Sequence, residues 1–229
     1  MLPGYMVIYE MKTLGIISQK GGSGKTTLAV HMAYCAAMHD RKVALIDIDP
    51  QGSAYDWNES RKPDREFDAA KGTARELAEL LKQGERAGVD LTIIDTAPHA
   101  DAPAAIAAQL ADFVLVPCRP ARFDLKAIAP TLAMIQAAKT PHAVVINAAP
   151  HGFRLADEAR AALGELGVTV LPDVVHQFAA LSHAVIDGSS VHEYDPDGQA
   201  AVEIERLYNQ ITRLYGDPVQ SPRRKWAAA

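Results

Sequence analysis

Cysteine is scarce in this chain. Cys35 and Cys118 are the only two in 229 residues, which excludes a disulfide framework of the kind that staples small secreted domains. Aromatic residues make up only 6%. Alanine instead fills many of the prospective helices, which suits helices packed closely on a sheet. No apolar run approaches the roughly 20 residues of a membrane-spanning helix. The N-terminus lacks a basic segment followed by a long apolar core, so it does not read as a secretory signal. Excess positive charge is missing too: the formal net charge is −5, and any nucleic-acid surface must therefore be local. Hydrophobic content of 48% and charged content of 22% describe a globular chain long enough for one sizeable core.

The informative segment is Lys20-Gly21-Gly22-Ser23-Gly24-Lys25-Thr26-Thr27. It follows the short apolar run Leu14 to Ile17 and precedes an apolar-rich stretch from Leu28 to Met38. Strand, glycine-rich turn and helix is the context a phosphate-binding loop requires. The glycines let backbone N–H groups turn inward on a polyphosphate. The helix N-terminus adds unpaired donors and the positive end of a dipole. Lys25 is placed to reach terminal phosphates, and the Thr26 hydroxyl to bind magnesium.

Two further motifs fall where that reading needs them. The apolar run Val43 to Ile46 ends in Asp47-Ile48-Asp49-Pro50-Gln51-Gly52, and Leu91 to Ile94 ends in Asp95-Thr96-Ala97-Pro98. Carboxylates at the C-terminal ends of buried parallel strands point into the crevice where ligands bind. Such an acid can hold magnesium through water, position a nucleophilic water, or merely cap the next helix.

The loop departs from the general phosphate-loop pattern in one respect. Gln19 stands where the first glycine is usual, and a second lysine, Lys20, opens the loop. It resembles the deviant Walker A loop of the ParA/MinD superfamily of ATPases, and the resemblance extends from Lys12 to about Tyr215. Asp-Ile-Asp-Pro-Gln-Gly resembles the first switch segment of that family. The resemblance implies ATP and Mg²⁺ as ligands. Lys20 matches the lysine that crosses a homodimer interface, and Asp49 the acid that orients the attacking water. Asp47 and Asp95 match acids that support the metal with Thr26. Asn147, which ends a strand, matches an adenine contact, although a simple turn former is an equal reading. Pro172-Asp173 resembles the loop that follows a later strand and reads adenine. The segments Pro117 to Asp124 and Ile186 to Gly198 resemble those of short, single-domain plasmid partition proteins of the ParF kind. One family branch holds an iron–sulfur cluster between subunits, but Cys35 lies mid-helix, where a small buried hydrophobe is expected.

The remaining chain alternates strands and helices. Helices are expected over Thr73 to Arg86, from Asp124 onward with Pro130 kinking it or resetting its start, over Ala156 to Leu166, Gln177 to Ile186 and Gln199 to Tyr215. Strands are expected at Asp112 to Pro117, Ala143 to Asn147 and Val168 to Leu171. Ile204, Leu207, Tyr208, Ile211 and Leu214 form the core-facing stripe of the last helix. The eight histidines show no metal-ligand spacing, and His142, His176 and His183 read as surface or packing residues. The pattern predicts an α/β fold, a doubly wound, mainly parallel sheet with helices on both faces. Residues 12–215 form a single ATPase domain. Residues 1–11 are an extension or edge strand, with Met1, Met6 and Met11 as candidate starts, and 216–229 a disordered tail.

The resemblance implies a slow, partner-stimulated ATP hydrolase in the cytoplasm, nucleoid-associated in its ATP state. The expected partner is a small DNA-binding adaptor of the ParB/ParG kind. In that reading the ATP dimer binds DNA non-specifically and segregates a plasmid or chromosome. Arg154, Arg160, Arg206, Arg213 and Arg223-Arg224-Lys225 are the candidate cations. Three alternatives stay open: positioning of a protein cargo, a membrane-surface ATPase of the MinD kind, and a small-molecule ATP-dependent enzyme. The tail Ser221 to Ala229 has no apolar stripe of the sort a membrane-surface helix needs, so no membrane partner is expected.

Overall fold

A computed structural model describes residues 10–61, 67–152, 154–186 and 188–216. The expected disordered tail beyond Gly216 and the first nine residues of the expected extension lie outside the described residues. Elements alternate along the chain: β1 (Lys12–Ile16), α1 (Lys25–Met38), β2 (Val43–Asp47), α2 (Ser53–Ser60), β3 (Asp68–Lys71), α3 (Leu77–Arg86), β4 (Leu91–Asp95), α4 (Asp101–Leu110) and β5 (Phe113–Cys118). There follow α5 (Arg122–Ala127), α6 (Ala129–Ala138), β6 (His142–Ala149), α7 (Leu155–Gly164), β7 (Val170–His176), α8 (Ala179–Ile186), the short α9 (Val191–Tyr194) and α10 (Gln199–Leu214).

The strands form one sheet in the order β3-β2-β4-β1-β5-β6-β7, and every pairing is parallel. Parallel strands need crossover connections, which is why helices cover both faces. Alternate residues of the central strands feed two cores. Leu14, Ile16, Leu45, Leu91 and Ile93 pack against α1, α2 and α10. Ile17, Ile46 and Ile94 pack on the other face against α3, α4, α6 and α7. The chain winds to β2 and β3 on one side of β1, then crosses to β5, β6 and β7 on the other. The C-terminal ends of β1, β2 and β4 thus meet where the winding reverses, the place where open α/β sheets bind ligands.

Several boundaries differ from expectation for physical reasons. Pro130 resets rather than kinks: α5 stops, Ile128 caps, and α6 begins with the proline in its first turn, where a missing N–H costs nothing. Helix α3 begins at Leu77, because Glu76 folds back on Thr73, accepting from its N–H and its hydroxyl. Leu214 is 49% exposed, so the stripe on α10 ends at Ile211.

The largest correction is at β7, which runs to His176. Pro172 and Asp173 therefore lie inside the strand and not after it. Asp173 accepts from Gln210 of α10, and the Pro172 carbonyl accepts from Arg160. Among the described residues only β6 pairs with β7, and the register shifts between Val170 and Val174. An edge strand with a bulge tolerates a proline that a central strand would reject.

Candidate functional site

The phosphate loop joins β1 to α1. Gly22 and Gly24 adopt positive φ of 72° and 93°, the left-handed region that glycine enters without steric cost. Gly24 is also the N-cap of α1. The Asn147 side chain, from the end of β6, donates to the Ser23 carbonyl at 2.7 Å. It approaches so closely that a Cβ on Gly24 would collide with Asn147 Nδ2. Ser23 is buried and its hydroxyl has no hydrogen-bond partner, an unsatisfied group at the centre of the loop. Lys25 is buried, with Nζ 3.4 Å from the Lys20 carbonyl. Burial lowers its pKa, opposed by the charges of Asp95 and Asp49. Lys20 is exposed at the front of the loop, while Thr26 and Thr27 are half-buried in the first turn of α1.

The acids meet this loop from two strands. Asp95, wholly buried at the end of β4, accepts from the Thr26 hydroxyl at 2.7 Å. Burial pushes its carboxyl up to about 7; the Thr26 bond and Lys25 oppose the shift, and Asp47 adds to it. Asp47, wholly buried at the end of β2, accepts from the backbone N–H of Asp49 (2.9 Å), Ala54 (2.9 Å) and Tyr55 (3.1 Å). Its carboxyl is also raised, again chiefly by burial. Because backbone donors occupy both its oxygens, Asp47 braces the loop and the start of α2. Asp49 is half-buried in the loop so braced, its Oδ1 accepting from Gln51 N–H.

The structure therefore brings together Lys20, Gly21, Gly22, Ser23, Gly24, Lys25, Thr26, Thr27, Asp49, Asp95 and Asn147. It leaves Pro172 and Asp173 outside this group. A cavity of about 220 Å³ opens beside the loop, lined by Gly22, Gly24, Thr27, Arg119, Asn147, His176, Gln177 and Phe178 among others. Arg119, Gln177 and Phe178 escaped the sequence reading. The signal for Gln177 and Phe178 was the true end of β7, hidden by the proline within it, whereas Arg119 directly follows β5. A larger cavity, about 710 Å³, lies beside Asp49 between the loops after β2 and β4. His99, in the second of those loops, was also missed. Its N–H donates to the Gln19 carbonyl at 3.0 Å, tying the loop after β4 to the phosphate loop after β1.

Comparison with known proteins agrees with this geometry. Residues 14–191 match the family of CobQ/CobB/MinD/ParA nucleotide binding domains, and the chain belongs to this family. Maintenance of carboxysome distribution protein A from Gloeobacter kilaueensis is 32% identical, over 87% of this chain and 92% of that one. Its namesake from Halothiobacillus neapolitanus is 30% identical, over 87% and 95%. Protein ParA from Rhizobium radiobacter is 28% identical, over 85% and 92%. Among solved structures, the Pyrococcus furiosus cell division ATPase MinD superposes with a TM-score of 0.76 at 19% identity, covering 90% of this chain and all of that one. An ATP complex of a Cyanothece McdA variant gives 0.72 at 19% identity, over 94% of this chain and all of that one. These two likenesses establish the fold.

Proposed function

We propose that this chain is a magnesium-dependent ATPase that closes as a homodimer over two nucleotides and uses that cycle to position a cargo along DNA. The observation that carries this is the pair of lysines. Lys25 is buried against its own loop, whereas Lys20 is exposed at the front of it, where it can serve a nucleotide held by a second subunit. The residues fit the ligand. The Ser23 hydroxyl lacks a partner among the described residues, Gly22 faces open space, and Thr26 and Asp95 present oxygen donors side by side. Thr26, with Asp95 behind it, would hold magnesium, which supplies positive charge to the phosphates. Asp49 orients the attacking water. Lys25, and Lys20 from across the interface, neutralise charge developing on the transferred group. Loss of the γ-phosphate contacts then releases the braced loops, and the dimer opens. Asn147, with Arg119, Gln177 and Phe178, lines the space for the base.

The cargo reading is segregation of a plasmid or chromosome with a small DNA-binding adaptor of the ParB/ParG kind stimulating slow turnover. The protein would be cytoplasmic and nucleoid-associated in its ATP state. Identities of 32% and 30% to carboxysome distribution proteins favour a protein cargo as the second reading. Of the candidate DNA-binding cations, Arg154, Arg206 and Arg213 are exposed. Arg160 is engaged with the Pro172 carbonyl at 2.7 Å and with Asp157, and Arg223-Arg224-Lys225 lie outside the described residues. Dimerisation would pool two weak patches into one binding surface.

Phosphate release and light-scattering mass test the mechanism together. Lys20→Ala and Lys25→Ala are expected to abolish hydrolysis. Asp49→Ala should give an ATP-bound dimer whose turnover falls at least about tenfold, a loss of roughly 1.4 kcal/mol of transition-state stabilisation. Brisk hydrolysis by Asp49→Ala, or a wild-type chain that stays monomeric with ATP, would overturn the reading.

A further inference from the structure

Away from the nucleotide, four side chains of metal-binding chemistry converge where α1 meets α9 and α10. Cys35 and His39 are four residues apart on α1, so they share one helix face. Cys35 Sγ lies 3.4 Å from Glu205 Oε2, and His39 Nε2 lies 2.9 Å from Glu205 Oε1. The ligand atoms of these three residues all fall within 4.8 Å of one another. His192 of α9 stands beside this group of three: its Nε2 is 3.9 Å from Glu205 Oε2, outside the set whose ligand atoms are mutually within 4.8 Å. Its side chain is only 5% exposed, and among the described residues Nε2 has no hydrogen-bond partner.

Without an ion, this group is a hydrogen-bonded cluster with one fault. Glu205 satisfies Cys35 and His39, but the buried His192 nitrogen is left over, and an unsatisfied buried polar group is costly. An ion held by Cys35, His39 and Glu205 would give the His192 nitrogen a partner once its ring moves to meet it. Four-coordinate zinc, with sulfur at about 2.3 Å and nitrogen or oxygen at about 2.0–2.2 Å, places neighbouring ligand atoms roughly 3.3–3.6 Å apart. The Glu205 oxygens lie 2.9, 3.4 and 3.9 Å from the other three ligand atoms, around that range, and the ligand atoms of Cys35, His39 and Glu205 are mutually within 4.8 Å. The Glu205 side chain is 26% exposed, which gives an ion a route from solvent.

We propose that Cys35, His39, His192 and Glu205 form a site for a thiophilic divalent cation, with Zn²⁺ the best match to one thiolate, two imidazoles and a carboxylate. The Cys35 thiol binds as thiolate: its proton passes to solvent, a sulfur lone pair goes to the ion, and no oxidation state changes. The ion would pin the helix that begins at the phosphate loop to the last helix of the chain. The site rests on no part of the nucleotide reading.

The test uses the full chain without a histidine tag, stripped with a chelator and then titrated with Zn²⁺ by calorimetry and with Co²⁺ by absorption spectroscopy. One equivalent should bind, and Co²⁺ should give a thiolate charge-transfer band. Cys35→Ala should abolish the band, while Cys118→Ala leaves it unchanged. His192→Gln should weaken Zn²⁺ binding by at least the ~10–100-fold typical of losing an outer-shell partner. If Cys35→Ala does not fold by far-ultraviolet circular dichroism, Glu205→Gln at its partly exposed position provides the second variant, with the same weakening expected. Absence of stoichiometric Zn²⁺ binding by the folded wild-type chain would overturn the site. So would a Co²⁺ band that survives Cys35→Ala, or undiminished Zn²⁺ binding by folded Glu205→Gln.

Discussion

Gly24 is under two constraints at once. Its φ of 93° would cost a side-chain-bearing residue about 1–2 kcal/mol, and any Cβ would strike Asn147. Gly24→Ala is therefore expected to move either the loop or Asn147, and nucleotide affinity should fall at least about tenfold, since 1.4 kcal/mol is a factor of ten. Titration with a fluorescent ATP analogue measures this, with circular dichroism confirming the fold. An affinity within twofold of wild type would contradict it. Asp95 makes a prediction of opposite character. Its folded carboxyl, pushed up to about 7 by burial, keeps its proton where an unfolded aspartate, near 3.9, has lost it. The native state thus binds more protons between about pH 4 and 7, and this group's contribution to stability declines as pH rises across that window. Asp95→Asn, which keeps the shape without the charge, should remove that slope. Urea unfolding without nucleotide or magnesium should show wild type losing on the order of a few kcal/mol relative to the variant from pH 5 to 8. Parallel pH curves would refute the assignment.

At the scale of elements, α2 depends on a carboxylate outside it. Its N-cap is Gly52, which offers no side-chain cap, and Asp47 supplies the acceptor for Ala54 and Tyr55 instead. Asp47→Ala should destabilise the protein by about 2–4 kcal/mol, because several buried N–H groups lose their partner. Hydrogen exchange should rise first at 49, 54 and 55; unchanged exchange there would remove the bracing role. The legibility of elements follows the same logic of what is local and what is not. β1, β2 and β4 announced themselves as apolar runs because both their faces are buried. The loop after β1 was legible because glycine, lysine and threonine at fixed spacing have few other uses. β3 was invisible: Asp68–Lys71 is a four-residue edge strand whose ends are exposed, so it carries no apolar pattern. β7 was misplaced because its proline reads as a strand end, and only its place at the sheet edge makes the residue tolerable. In sequence Asp47 and Asp49 differed only by resemblance, as metal support and water-orienting acid. Only the backbone donors folded around Asp47 separate brace from candidate catalyst. The Cys35/His39 spacing was present on α1, but Glu205 joins it from 170 residues away in the chain, a distance no local pattern bridges.

At the scale of the whole molecule, one sheet gathers the lysines of the loop after β1 and the acids after β2 and β4 to a single edge of the fold, leaving Lys20 exposed. That arrangement suits a switch that senses whether a γ-phosphate is present and reports it by association with a second copy. With a net charge of −5, a single chain has no overall excess of positive charge, so DNA binding should depend on assembly. The most direct test is binding to random-sequence duplex DNA with ADP, with ATP, and with ATP on Asp49→Ala, each at low and at moderate salt. The account predicts binding only with ATP, persistent in Asp49→Ala, independent of sequence, and weakened at least about tenfold at the higher salt as counterion release requires. Equal binding with ADP and ATP, or none in any state despite an ATP-driven dimer, would contradict it.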